Sequence, residues 1–135
     1  MSIKRISDNF LLAGYVIANI YVGIIGIQPA VRNVSAKIKS ESQLAELLQS
    51  EKENQHCNKD IVALFTQDTG GHSGKSRDGK YAVTLGIDSH DIGDLEHEVF
   101  HICSGQVDRG YKALRYYLLD EPLASIYSLK SLIGR

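Results

Sequence analysis

Two histidines and a glutamate lie within five consecutive residues in the second half of the chain, in the order His97-Glu98-Val99-Phe100-His101. Because residues four apart lie on one face of an α-helix, one turn apart, the two imidazoles can bind a single zinc ion. Glu98 is rotated by one step from His97 and can therefore reach a water beside the metal. Zinc lowers the pKa of such a water to about 7, and Glu98 can act as its general base.

A hydrolytic zinc site needs a third protein ligand and one open position. Glu121 is the candidate, because it follows His101 by 20 residues and begins a predicted helix at Asp120-Glu121-Pro122. A helix end, a turn and a second helix start fit into that gap. The alternative is that Glu121 only places a carboxylate at the positive end of a helix dipole.

With these residues the chain resembles the gluzincins, zinc metallopeptidases that carry HExxH on one helix and a glutamate ligand on a following helix. Ala124, three residues after Glu121, matches the downstream motif of that family, whereas Ser125 stands where an Asp is often found. In the family this Asp usually supports a ligand histidine from behind. Asp120 or Asp94 is the substitute that the sequence offers.

The resemblance covers residues 81–127 and implies a minimal catalytic core that uses zinc to hydrolyse a peptide or protein substrate. In gluzincins the strand before the HExxH helix binds substrate as an added strand. The alternating run Tyr81–Ile87 is in that position, so Val83, Thr84 and Leu85 are the substrate-strand candidates. The reaction also needs an oxyanion stabiliser. Tyr127 is the first candidate for it, and the others are Tyr116, Tyr117, His72 and Arg115.

The elements around these residues predict an α+β fold, with a small antiparallel sheet packed on the HExxH helix and on a following glutamate-bearing helix. Residues 61–65 and 81–87 are predicted strands that could pair as a hairpin with a long loop. The HExxH helix has a capping signal at Asp91 or Asp94 and an expected end at Gly105. Two further helices are predicted, from Ser40 to about residue 53 and over residues 111–119.

Residues 10–27 form an uncharged apolar run that basic residues precede and follow. This pattern indicates a signal peptide or a membrane anchor, and its length just reaches that of a membrane-spanning helix. The alternative is a buried pair of strands in the core of a cytoplasmic protein, because the run is rich in β-branched residues. Basic residues on both sides leave the orientation open. We therefore divide the chain into an N-terminal segment, 1–36, and a catalytic domain, 37–135.

The composition argues against some other classes of function. The net charge is −1 and there is no Trp, so the basic face and stacking platforms of a nucleic-acid binder are missing. Residues 69–76 nearly match a phosphate-binding P-loop, but a predicted strand follows them where a helix would be needed. Cys57 and Cys103 would pair in an exported chain and remain thiols in the cytosol. The main alternative to an enzyme is a membrane-anchored or secreted interaction protein with a structural or vestigial metal site.

Overall fold

A computed structural model of the chain describes residues 3–110 and 115–134. Three helices come first, three strands follow, and the remaining elements are helical, so the α+β class predicted from the sequence is confirmed. In chain order they are α1 (Ile3–Ile25), α2 (Ile27–Val34), α3 (Glu41–Asn54), β1 (Ile61–Phe65), β2 (Gly71–Lys75), β3 (Tyr81–Leu85), α4 (Ile92–Cys103), α5 (Gln106–Arg109), a π-helical turn (Tyr116–Asp120) and α6 (Glu121–Ile133). Residues 111–114 of the helix predicted over 111–119 lie outside the described residues.

The sheet has the strand order β1-β3-β2 and is mixed. The predicted hairpin is wrong in orientation, because β1 and β3 run parallel, with Ile61 opposite Tyr81. The glycine-rich segment between them forms β2, which pairs antiparallel with β3. A parallel pair cannot be joined by a short hairpin loop, and the segment that contains β2 supplies the longer connection.

The core lies between the sheet and α4. Leu95, Val99 and Ile102 form an apolar stripe on α4 and are buried in one cluster with Val83 and Leu85 of β3. Burial of each such side chain stabilises the fold by about 1.5–3 kcal/mol. Further core side chains come from α3, the strands and α5, namely Leu44, Leu48, Ile61, Tyr81 and Val107.

Both ends of α4 form as the sequence predicts. The Asp91 carboxylate accepts a hydrogen bond of 2.9 Å from the backbone N–H of Asp94 and caps the first turn. At the other end, Gly105 has φ of 77°, a left-handed conformation that glycine adopts without strain. The helix that carries the HExxH motif is therefore fixed at both termini.

A disulfide joins Cys57, in the loop after α3, to Cys103 at the last residue of α4, with the Cα atoms 5.4 Å apart. The structure therefore pairs the two cysteines, whose state the sequence left open. Cys103 forms a covalent link as well as packing in the core. The bond ties the C-terminal end of α4, two residues beyond His101, to the layer formed by α3 and β1.

The N-terminal apolar run is helical. Residues Ala13–Val34 are long and apolar enough to cross a membrane by length and composition, with a mean hydropathy of 1.5, and only 6% of that window is buried. The alternative of a buried strand pair is therefore wrong. The exposed apolar side chains of α1 include Tyr15, Val16, Ile17, Ile20 and Val22.

In contrast to α1, α2 packs into the body of the fold. Val31 is only 1% exposed. The Arg32 guanidinium lies 2.8 Å from the Asp94 carboxylate, and the Gln28 amide donates to the same carboxylate at 2.5 Å. Because Asp94 belongs to the first turn of α4, the end of the apolar run is tied directly to the helix that carries the histidines.

Candidate metal centre

The structure brings together the three residues that the sequence nominates as metal ligands. The Nε2 atoms of His97 and His101 are 3.1 Å apart on the same face of α4. The two carboxylate oxygens of Glu121, at the start of α6, lie 3.2 Å from His97 Nε2 and 3.3 Å from His101 Nε2. Both imidazoles are buried, and Glu121 is partly exposed, so solvent reaches the cluster from the α6 side.

These separations fit a tetrahedral metal ion. Bonds of about 2.0–2.1 Å in tetrahedral geometry place neighbouring donor atoms about 3.3 Å apart. The separations of 3.1, 3.2 and 3.3 Å lie near that value, and the two that involve Glu121 reach different oxygens of its carboxylate. Two imidazole nitrogens and one carboxylate also form a donor set that zinc accepts, with a fourth position left for water or substrate. The cluster can therefore hold a metal ion.

Gln106 supports His101 from behind. Its Oε1 accepts a hydrogen bond from His101 Nδ1 at 2.5 Å, and the glutamine is buried. A histidine whose Nδ1 donates a proton keeps the Nε2 lone pair available for a metal. The predicted substitutes, Asp120 and Asp94, do not take this role. Asp94 pairs with α2, and Asp120 lies near Arg109 and Arg115.

His97 has no such support among the described residues. The Nδ1 atom of His97 is buried and has no hydrogen-bond partner among the described residues. The polar contacts of His97 within these residues are therefore made by Nε2, which faces Glu121. The pair of ligand histidines is therefore asymmetric, with His101 held more firmly than His97.

The local charge favours a cation at this point. Burial alone would raise the pKa of Glu121, but hydrogen bonds to His101 and His97 hold that pKa well below its usual range. Burial alone would lower the pKa of His101, yet the contact with Glu121 and the nearby charge of Glu98 raise it. Both pKa shifts indicate that carboxylates stabilise positive charge between α4 and α6.

Glu98, the predicted general base, is buried beside β2. A Cβ atom placed on Gly71 would lie 3.0 Å from Glu98 Oε1, so a side chain at this position would displace the carboxylate. Burial raises the pKa of Glu98, while the neighbouring His97 and His101 and a hydrogen bond from Ser73 oppose that rise. The carboxylate thus lies between β2 and the metal ligands, where it can exchange a proton with a water.

Tyr116, and not Tyr127, contacts the cluster. The Tyr116 hydroxyl donates a short hydrogen bond to Glu121 Oε1, and its ring stacks on His101 with centroids 5.8 Å apart. The Tyr127 hydroxyl instead donates to Glu51 of α3 at 2.6 Å, and its ring stacks on Phe100. Burial, followed by the bond to Glu51, raises the pKa of Tyr127.

The substrate strand predicted at Val83, Thr84 and Leu85 is wrong. β3 is the central strand and pairs on both sides, so its backbone has no edge for a peptide. β2 is the edge strand nearest the site. Its residues Gly71 and Ser73 contact Glu98, and its second edge pairs with no other strand among the described residues.

The P-loop-like segment, residues 69–76, contains β2 and does not have the structure of a P-loop. Gly71–Lys75 is extended and precedes a turn and β3, so no helix N-terminus follows it to bind phosphate. Lys75 instead pairs with Asp108 at 2.9 Å. His72 belongs to β2, His56 and His90 lie in loops, and none of the three joins the ligand cluster.

A cavity of about 350 Å³ opens beside Glu121. α1, α2, the π-helical turn and the start of α6 all contribute to it, so the N-terminal helices form part of the wall. The lining residues are Tyr21, Gln28, Tyr116, Tyr117, Glu121, Pro122 and Ser125. This cavity is large enough to take a side chain next to the metal ligands.

A scan against protein-family models, a search of curated proteins and a search of solved structures each returned no match to this chain. The assignment of the site therefore stands on its geometry.

Proposed function

We propose that this chain is a zinc-dependent metallopeptidase that is anchored to a membrane by its N-terminal helix. The observation that carries the proposal is the convergence of His97, His101 and Glu121, whose facing donor atoms are 3.1–3.3 Å apart. Glu98 lies beside them in the order that HExxH chemistry requires. When bound, zinc supplies the polarisation of a carbonyl group and the acidification of a water.

The residues of the chain then have distinct tasks in peptide-bond hydrolysis. Glu98 accepts a proton from the attacking water and passes it to the leaving amine nitrogen. Tyr116 directs its hydroxyl toward Glu121, and from that place it can donate to the negative charge that develops on the carbonyl oxygen. Gln106 keeps His101 in the orientation and tautomer that the ligand set needs.

The free edge of β2 is the proposed binding place for the substrate backbone. An extended peptide that pairs with this edge passes next to Gly71 and Ser73, and therefore next to Glu98. Backbone pairing of this kind favours an extended peptide over other hydrolysable substrates. The cavity beside Glu121 would then accept one side chain of that peptide.

The N-terminal helix supports an anchor over a cleaved signal. Cleavage after Ala36 would remove Val31 from the core and the Arg32 and Gln28 contacts from Asp94. An anchor keeps those contacts and leaves α1 in the lipid. The disulfide also indicates the orientation that the flanking charges leave open, because such bonds persist in oxidising compartments. We infer that the catalytic body lies on the non-cytosolic side.

The test is a pair of measurements on the purified full-length chain in detergent. Metal analysis should find one zinc per chain, and fluorescently labelled casein should be hydrolysed. Glu98→Gln should keep the zinc and lose roughly 10²–10⁴-fold in turnover, the range of general-base catalysis. Glu121→Gln should lose both zinc and turnover.

Glu53→Gln is the matched control, because that carboxylate is exposed on α3 and bonds only to Gln49 among the described residues. It should behave as the wild type in both measurements. Wild-type protein without zinc would refute the metal centre. Protein with zinc but without any Glu98-dependent turnover would indicate a structural metal in an interaction protein.

A further inference from the structure

An exposed apolar ridge lies next to the candidate metal centre. It consists of Tyr117, Leu118, Leu119 and Leu123, and half or more of each of these side chains is exposed. The first three belong to the π-helical turn and the last to the first turn of α6. Contiguous exposed apolar surface of this kind marks a contact with another molecule or with a membrane.

The ridge adjoins α1 directly. The Tyr21 hydroxyl of α1 donates to the backbone carbonyl of Tyr117 at 2.6 Å. Pro122 lines the same cavity as Tyr21, and Leu123 is one position further on, about 100° around the helix. The π-helical turn and the start of α6, which carry the ridge, therefore both lie beside α1.

The position of the Tyr21–Tyr117 hydrogen bond along α1 indicates which environment surrounds the ridge. Tyr21 precedes Ile25, the last residue of α1, by four residues, or about 6 Å of helix. If α1 spans a bilayer, the π-helical turn lies at that depth. Side chains at that depth must be apolar and backbone carbonyls must be bonded. The leucines meet the first condition, and the bond from Tyr21 satisfies the carbonyl of Tyr117.

We propose that the ridge inserts into the lipid leaflet on the side of the catalytic body and forms a second membrane contact beside α1. The bilayer is the occupant, because the ridge adjoins α1, which supplies the exposed apolar part of the candidate membrane span Ala13–Val34. This inference rests on the anchor in the proposed function and is independent of the chemistry of the site. It places the cavity beside Glu121 at the membrane surface.

The absence of Trp from the sequence allows a direct measurement. Single-Trp variants of the full-length chain are reconstituted into phosphatidylcholine vesicles with and without brominated acyl chains, which quench Trp on contact. Leu119→Trp and Leu123→Trp report on the ridge, and Val16→Trp reports on the anchor. Val62→Trp, on an exposed position of β1, is the control. The ridge variants and Val16→Trp should each lose emission in the brominated vesicles, whereas Val62→Trp should keep its emission.

The two ridge variants guard against a local folding defect in either one. Quenching of Val16→Trp without quenching of both ridge variants would overturn the proposal and leave the anchor intact. An unquenched but blue-shifted ridge would mean that a second copy of the chain covers it, which also overturns the proposal. Lack of quenching at all positions would remove the anchor as well. Zinc content and casein hydrolysis of the same variants report separately on the proposed chemistry.

Discussion

At the scale of single residues, the proposed metal centre includes side chains that are not among its three candidate ligands. Gln106 is the clearest case, because its side-chain oxygen accepts a hydrogen bond from Nδ1 of His101. Tyr116 is the second, because it contacts one ligand through its hydroxyl and another through its ring. Each of these roles leads to a separate measurement.

We predict that Gln106→Leu lowers zinc affinity by about 10–100-fold, the usual cost of removing the partner of a ligand histidine. Gln106→Glu keeps an acceptor for His101 Nδ1 and should recover most of that loss. Competition with a chromophoric zinc chelator measures both variants. If Gln106→Leu bound zinc as tightly as the wild type, the bond to His101 would have no role in the centre.

We predict that Tyr116→Phe lowers kcat by roughly 10²–10³-fold, as loss of an oxyanion donor does, while zinc stays bound. Tyr127→Phe is the matched variant, because its hydroxyl bonds to Glu51 away from the cluster. It should keep kcat and lose only about 1 kcal/mol of stability. Casein hydrolysis with zinc analysis distinguishes them. A larger kcat loss in Tyr127→Phe would restore the assignment made from the sequence.

At the scale of elements, the sequence predicts α4 well because its signals are local. The apolar stripe, the Asp91 cap and Gly105 all act within the helix or one residue beyond it. The position of Glu121 beside the two histidines was predicted from chemistry, because a hydrolytic zinc site needs a third protein donor.

The parts that the sequence does not predict depend on contacts between elements. β2 has the composition of a loop, Gly-His-Ser-Gly-Lys, and is extended only because β3 offers it an edge. Gln106 reaches His101 because the left-handed Gly105 turns the chain back. Residues five apart, such as Tyr116 and Glu121, lie about 140° apart around a regular α-helix. The π-helical turn brings these two together.

We predict that Gly71→Ala displaces the Glu98 carboxylate and lowers kcat by roughly 10²-fold, the usual effect of a small misplacement of a catalytic group. The new methyl group would lie 3.0 Å from Oε1 and 3.1 Å from Cγ of Glu98. Gly74→Ala, on the same strand, has open space around the added methyl group and should leave kcat unchanged. Equal losses of kcat in the two variants would mean that any substitution in β2 lowers activity, whatever its distance from Glu98.

At the scale of the whole molecule, one carboxylate connects parts that are distant in sequence. Asp108 of α5 bonds to Lys59 before β1, Lys75 of β2 and the hydroxyl of Tyr81 of β3. Lys59 also donates to the carbonyl of Ile102 near the end of α4. This network holds the sheet against the helix that carries the ligands.

The Asp108 network predicts an acid-dependent loss of stability. The bonds from Lys59, Tyr81 and Lys75 hold the pKa of Asp108 well below its unfolded value. Its contribution is therefore complete above about pH 4 and is lost as pH falls from there toward the folded pKa. Urea midpoints measured from pH 5 downward should fall more steeply in the wild type than in Asp108→Asn. If the urea midpoints of the wild type and Asp108→Asn fell equally with pH, the Asp108 carboxylate would not be a source of acid sensitivity.

The packing of α2 predicts different outcomes for two truncations. A chain that begins at Gly26 keeps Val31, Arg32 and Gln28 and should stay folded with zinc. A chain that begins at Lys37 loses the burial of Val31 and leaves the Asp94 carboxylate without its cation. It should lose several kcal/mol of unfolding free energy. Thermal melts compare the two, and equal stability would show that α2 is dispensable.

The Cys57–Cys103 bond closes a covalent ring whose membership has a consequence for metal exchange. The ring contains all three strands, both imidazoles and Glu98, whereas Glu121 lies outside it on the C-terminal segment. The segment after Cys103, which carries Gln106, Tyr116 and Glu121, can therefore detach while both imidazoles and Glu98 stay in register. Loading and release of a bound ion would then be governed by how often this segment detaches, and not by unfolding of the ring.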